Sequence, residues 1–77
     1  MPTTPREHLD WAVDRALEYY DLGERMNAMM SFASDVGKHE GTAWIRTNHM
    51  LLPILEDGYD RGRQAFKDAM TGFAVGD

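Results

Sequence analysis

The stretch that decides the fold is TPREHLDWAVDRALEYYDLG, residues 4–23. It opens with a strong helix-start signal, because Thr4 and Glu7 have the spacing of a capping box, in which each side chain bonds to the backbone of the other. Pro5 suits the first helical position, where a missing N–H costs little. No helix breaker follows until Gly23, so the stretch predicts one long helix that ends just before this glycine.

Three further helices are predicted after Gly23, separated by glycines. Pro53 lies inside the third helix, where proline removes a backbone donor and collides with the carbonyl four residues back. We therefore expect a kink there, or a break that restarts the helix at Pro53. Gly58 would end this helix, and Asp60 would cap the fourth. The predicted helices cover about residues 5–22, 24–37, 42–57 and 61–72.

The fold class follows from these segments. No part of the chain alternates apolar and polar residues with period two, so no sheet is predicted. Short connections between consecutive helices favour antiparallel neighbours. We predict a single all-α domain over residues 1–77, a small bundle of about four short helices arranged as two helical hairpins. Residues 1–4 and 74–77 are expected to be flexible ends, with Phe73 able to fold back on the bundle.

The small size and the apolar content favour self-association. The chain has 77 residues and no cysteine, and a core of this size often needs a disulfide, a metal or a partner chain for stability. Six methionines, three phenylalanines, three tyrosines and two tryptophans are many for so short a chain. We expect a homodimer or a higher homo-oligomer.

Charge and hydropathy narrow the classes of partner. The net charge is −5, which argues against direct binding to a nucleic-acid backbone and permits a basic protein partner. No apolar run approaches the roughly 18–20 residues that a membrane-spanning helix needs. The N-terminal sequence lacks the apolar core of a signal peptide. The sequence therefore predicts a soluble, cytoplasmic protein with no membrane contact.

The first helix presents three kinds of surface. At about 100° per residue, an apolar face is centred on Leu9, Val13, Ala16 and Tyr20 and predicts the core side. The acids gather in a narrow line, which is either a solvated helix face or a docking site for a basic partner. We call this line the acidic stripe; it consists of Glu7, Asp10, Asp14, Glu18 and Asp21.

Trp11 belongs to neither the core face nor the acidic stripe. It is covered by another part of its own chain, lies flat on the surface beside neighbouring side-chain stems, or is buried in an intermolecular contact. Tryptophan is common among the energetically important residues of such contacts. Lys38 and His39 lie in a predicted loop. This loop is either a solvated turn or a site of contact with a partner.

The second and third helices carry further apolar surface. The second has a methionine-rich stripe, which is usually core but can be an adaptable binding surface. The third is apolar nearly all round, which indicates a central helix or an oligomer interface. The candidate partner-contact residues are Trp11, Asp10, Asp14, Glu18, Asp21, Lys38, His39, Trp44, Ile45 and Leu52.

The sequence offers no convincing catalytic or metal-binding motif. His8, His39 and His49 have no i,i+4 spacing and no H-E-x-x-H pattern. There is no cysteine nucleophile and no phosphate-cradling glycine loop, and the mid-helix serines have no obvious base. We predict a protein that is not an enzyme and that has no catalytic residues, cofactor or metal.

The segments HLDWAVDRALEYYDLG, AMMSFASDVGKHEGT and MTGF together resemble a group of small accessory proteins of tailed bacteriophages. Pro53 and Gly62 depart from that pattern. The group brings no catalytic residues. The matching positions are His8, Leu9, Trp11, Arg15 to Tyr19, Gly23, Ser31, Ser34, Asp35, Lys38, His39, Thr42, Gly72 and Phe73.

The resemblance implies a small phage-like protein in the cytoplasm of a host cell. It would act through protein–protein contact and bind or modulate a host factor. An alternative is an acidic DNA mimic, or a regulatory protein that binds nucleic acid weakly through Arg61, Arg63 and Lys67.

Overall fold

The computed structural model describes residues 4–76, and the expected flexibility of residues 1–3 and 77 lies outside this range. Within it the chain is helical and has no strand, which confirms the predicted all-α bundle. The first two helices pack as one hairpin and the last two as another. The helices are Pro5–Asp21 (α1), Arg25–Val36 (α2), Ala43–Arg46 (α3), Leu51–Arg61 (α4) and Arg63–Thr71 (α5).

The start of α1 has the predicted capping box. The backbone N–H of Glu7 donates to Thr4 Oγ1 at 3.1 Å, and the backbone N–H of Thr4 donates to Glu7 Oε1 at 3.2 Å. At the other end Gly23 adopts a φ of 75°, a left-handed conformation that glycine reaches without a Cβ penalty. The buried face of α1 consists of His8, Leu9, Ala12, Val13, Ala16 and Leu17.

The predicted third helix is broken, but upstream of Pro53. It divides into α3 and α4, with residues 47–50 between them. Asn48 Oδ1 accepts a hydrogen bond from the backbone N–H of Met50 at 2.9 Å and supports this turn. Pro53 is the third residue of α4, where a backbone N–H would have no partner inside the helix. The helix therefore accommodates the proline in its first turn and restarts two residues before it.

The predicted boundary at Gly58 and the predicted cap at Asp60 are both wrong. Gly58 is buried inside α4, and Asp60 lies in its last turn. The boundary is at Gly62, whose φ of 119° is left-handed. Asp60 bonds instead to Arg25 at the start of α2, so its carboxylate links the two hairpins.

The C-terminal tail folds back on the bundle, as the sequence predicts. The ring of Phe73 stacks on Phe32 at 6.3 Å between centroids, and the edge contact with Trp44 is 6.0 Å. Farther along, the carbonyl of Gly76 accepts a hydrogen bond from the backbone N–H of Arg6 at 3.1 Å. The tail therefore closes the bundle beside the start of α1.

A second aromatic group holds the two hairpins together at the opposite end of α1. Tyr20 lies 4.7 Å from Tyr59 and 5.8 Å from Phe66, measured between ring centroids. Nearby, Arg63 Nε donates to Asp21 Oδ1 at 2.8 Å. In the described part of the chain, no helix has the length and apolar content that crossing a membrane requires.

Candidate functional site

A buried carboxylate organises the contact between α1 and α2. Asp35 is 2% exposed, although it lies near the C-terminus of α2, where the helix dipole disfavours an acid. Arg15 Nε donates to Asp35 Oδ2 at 2.7 Å, and Lys38 Nζ donates to Oδ1 at 3.0 Å. A longer bond of 3.4 Å comes from the hydroxyl of Ser31. We call these four residues the Asp35 cluster; its two cations compensate the buried charge.

The cluster favours the charged form of Arg15 and leaves both of its cations turned towards solvent. The hydrogen bond to Asp35 is the main cause that raises the pKa of Arg15, and the attraction of the same carboxylate adds to it while desolvation opposes it. The side chains of Arg15 and Lys38 are 44% and 57% exposed. The site can therefore offer hydrogen-bond donors to a ligand, whereas its carboxylate is shielded.

Trp11 is covered in part by this cluster. The guanidinium carbon of Arg15 lies 5.1 Å from the ring centroid of Trp11, and Lys38 Nζ lies 5.8 Å from it. The ring of His8 is 5.1 Å away. Such cation–aromatic contacts favour this arrangement. Trp11 is thus half-buried by its own chain, and the remaining part of its ring faces solvent.

The two histidines of this region have structural contacts. His8 is buried and its Nε2 lies 2.5 Å from the backbone carbonyl of Asp35, so Nε2 carries the proton that is donated. The ring of His39 lies 5.2 Å from the ring of His8, and its Nδ1 accepts a hydrogen bond from Gly41 at 2.9 Å. No group of three His, Asp or Glu side chains among residues 4–76 is arranged to hold a metal ion.

The acidic stripe is exposed along its whole length, but its members differ. Glu7 belongs to the capping box. Asp21 pairs with Arg63, and the hydrogen bond from that guanidinium lowers the pKa of Asp21. The remaining three acids make no ion pair within the described range, so they form the part of the stripe that is open to a basic partner. These are Asp10, Asp14 and Glu18.

An apolar groove runs between α2 and the α3–α4 turn. It has a volume of about 350 Å³. Its apolar lining consists of Met30, Ala33, Leu51 and Leu52, and its polar edge consists of Arg46, Thr47, Asn48 and His49. Met30 and Leu52 are 53% and 48% exposed. The expectation that the methionine-rich stripe of α2 is core is therefore wrong in part, because Met26 and Met30 are exposed. The buried residues of α2 are Ala28, Met29, Phe32, Asp35 and Val36.

Ile45 is not available for partner contact in this fold. It is fully buried, which corrects its inclusion among the candidate partner-contact residues. Residues 47–50 interrupt the helix, so the helical spacing between positions 45 and 52 is lost. Leu52 and Trp44 remain exposed.

Asp35 was missed as a candidate residue, although a signal was present. It lies three residues after Phe32 and directly before Val36, so a helical projection places a carboxylate at the edge of the apolar face. An acid in that position requires a cation from another helix. The contribution of Arg15 depends on how α1 and α2 pack, which the spacing along α1 alone does not reveal.

Comparisons with protein-family models, curated proteins and solved structures gave no significant match.

Proposed function

We propose that this chain is a non-enzymatic binding protein that works through protein–protein contact, with the apolar groove as its main contact surface. The observation that supports this most directly is the exposure of Met30 and Leu52 at that groove. Exposed apolar side chains that are grouped in this way commonly mark interaction sites. Methionine is well suited to such a surface because its flexible thioether adapts to different partners.

The proposal includes a phage-like context. The resemblance of the HLDWAVDRALEYYDLG and KHEGT segments to accessory proteins of tailed bacteriophages supports a partner from a host or a phage, in the cytoplasm of the host. The small size of the domain supports a homo-oligomer as its working form.

Affinity capture from bacterial lysate with matched variants tests the groove. The double variant Thr47→Glu with Leu52→Glu places charges at exposed positions of the groove, while Leu22→Glu places one at an exposed leucine outside its lining. We expect the proteins recovered by the wild type and by Leu22→Glu to be lost with the double variant. Recovery of the same proteins by all three, or of none by the wild type, would contradict the proposal.

A second candidate function rests on the acidic stripe. Asp10, Asp14 and Glu18 are exposed and follow one another at i,i+4 spacing, with a rise of about 6 Å between neighbours. A line of negative charges that make no ion pair with the described residues can imitate the charge pattern of a nucleic acid for a basic DNA-binding protein. We expect the Asp10→Asn with Asp14→Asn variant to lose competition against DNA for such a protein. Undiminished competition by this variant would exclude mimicry.

A further inference from the structure

The bundle has a polar pocket next to the apolar groove, and Met30 lines both of them. It lies between α1 and α2 and has a volume of about 240 Å³, the space of about eight water molecules. Six of its lining side chains carry hydrogen-bond donors, so we call it the donor pocket. These are Arg15, Tyr19, Asn27, Ser31, Ser34 and Lys38.

The charges at the donor pocket are arranged asymmetrically. Its lining includes two cations, Arg15 and Lys38, and one acid, Asp35, so the formal charge of the lining is one positive. The acid is almost fully buried, and both of its oxygens already accept hydrogen bonds from the cations. A ligand that enters from solvent therefore meets donors rather than the carboxylate. The nearby acid Glu18 acts on Arg15 more weakly than Asp35 does.

We propose that the donor pocket binds an oxyanion group, a phosphate or a carboxylate. Asp35 engages Arg15 through Nε, which leaves the two outer guanidinium nitrogens as a fork that suits two oxygens of one ligand. Lys38 has three donors, one of which Asp35 uses. Because Asp35 already holds both cations in place, less side-chain freedom is lost when a ligand binds. The hydroxyl of Ser34 lies at the same pocket and adds a neutral donor.

Trp11 provides an internal reporter, because its ring lies against both cations of the pocket. The Trp44→Phe variant retains Trp11 as its single tryptophan. We expect a saturable change in its emission on titration with sodium phosphate, sodium acetate or both, at an ionic strength held constant with sodium chloride. A response to only one salt assigns the oxyanion as phosphate or as carboxylate.

Variants in the Trp44→Phe background locate the site. We expect Arg15→Gln to weaken binding at least tenfold and Ser34→Ala to weaken it several-fold. Arg61→Gln is the control, because this cation pairs with Asp57 and does not line the pocket. The affinity of this control for the oxyanion should match that of the Trp44→Phe protein.

Two outcomes would overturn the proposal. One is an emission change with both oxyanions that does not exceed that produced by chloride. The other is an affinity that Ser34→Ala and Arg15→Gln leave unchanged. If circular dichroism shows that Arg15→Gln does not fold, Ser34→Ala decides alone, since Ser34 is exposed and lies outside the Asp35 cluster.

Discussion

The missing side chain of Gly58 allows α4 and α5 to approach each other closely. A Cβ at this position would lie 2.9 Å from the Cβ of Ala69 and 3.0 Å from the carbonyl oxygen of Ala65. Both distances are too short for ordinary contact, and the second involves backbone, which cannot move aside easily. A residue that looks like a helix terminator in the sequence is therefore a packing residue.

Gly58→Ala should destabilise the protein, although alanine is normally the better helix former. The usual gain of about 1 kcal/mol in a helix interior is outweighed by the clash, and we expect a net loss of about 1–2 kcal/mol. Urea unfolding followed by circular dichroism measures this. The exposed neighbour Asp57→Ala is the control, and its change should stay within about 0.5 kcal/mol. A Gly58→Ala protein more stable than the wild type would contradict the close approach.

Residues differ in how much their sequence context reveals. Thr4 and Glu7 act through the backbone within one turn, so their capping box was predictable from spacing alone. The partners of Gly58 and Asp35 come from other helices, and their roles depend on packing that no local pattern contains. For this reason the sequence predicts a helix boundary at Gly58 and no binding role for Asp35.

Among the elements, the tail after α5 contributes to the core through one ring. Phe73→Ala would remove the stacking on Phe32 and the contact with Trp44. We expect a loss of about 3 kcal/mol in the free energy of unfolding and a red shift of Trp44 emission in the folded state. Phe73→Leu, which keeps most of the apolar volume, should recover much of the stability. Equal unfolding midpoints for Phe73→Ala and the wild type would show that the tail is dispensable.

Two ion pairs join the hairpins and should make their association sensitive to acid. Hydrogen bonds from Arg63 and Arg25 lower the pKa values of Asp21 and Asp60 below the ordinary value of 3.8. A carboxylate with a lowered pKa stabilises the fold above the unfolded-state pKa and loses this effect as the pH falls through the folded-state pKa. The stabilisation should therefore be complete well above about pH 3.8 and should decline below it.

Urea unfolding midpoints measured between neutral pH and pH 2 test this expectation. Asp21→Asn with Asp60→Asn should be less stable than the wild type near neutrality and should converge with it in acid. Asp10→Asn, which removes an acid with no ion pair in the described range, serves as the control and should run parallel to the wild type. If the midpoints of the double variant stay parallel to those of the wild type over the whole pH range, the ion pairs do not cause the loss of stability in acid.

Helix boundaries, like individual residues, are predictable from the sequence only where the signal is local. The ends of α1 and α2 agree with the sequence to within about one residue, because capping and glycine signals are local. The break between α3 and α4 was predictable from Pro53 in kind but not in position, because a helix can accept proline anywhere in its first turn. The burial of Ile45 then followed from the exact position of that break.

The molecule is compact, so loose packing does not explain its exposed apolar side chains. Its Cα radius of gyration is 11.2 Å, close to the value of roughly 11–12 Å for a compact chain of this length. The exposure of Met30 and Leu52 is therefore not the result of loose packing. The fold and the core of α1 could be read from the sequence, whereas the groove arises only when α2, α3 and α4 come together.

Self-association should use this groove. Sedimentation at rising protein concentration should show a monomer–oligomer equilibrium for the wild type and a monomer for Leu52→Glu, with Leu22→Glu unchanged. Because the contact is apolar, added salt should not weaken it, in contrast to an interface of exposed charges. A wild type that stays monomeric up to millimolar concentration would exclude this contact.

The N–H of Arg6 donates a hydrogen bond to the carbonyl of Gly76 at 3.1 Å. Residues 6 and 76 are therefore direct neighbours in the fold. A short peptide linker would suffice to join residue 76 to residue 6, and such a cyclisation would reduce the conformational freedom of the unfolded state at little cost to the folded one. The ring could then be reopened in the turn at residues 47–50. Domains fused to the new ends of such a circular permutant would lie beside the apolar groove.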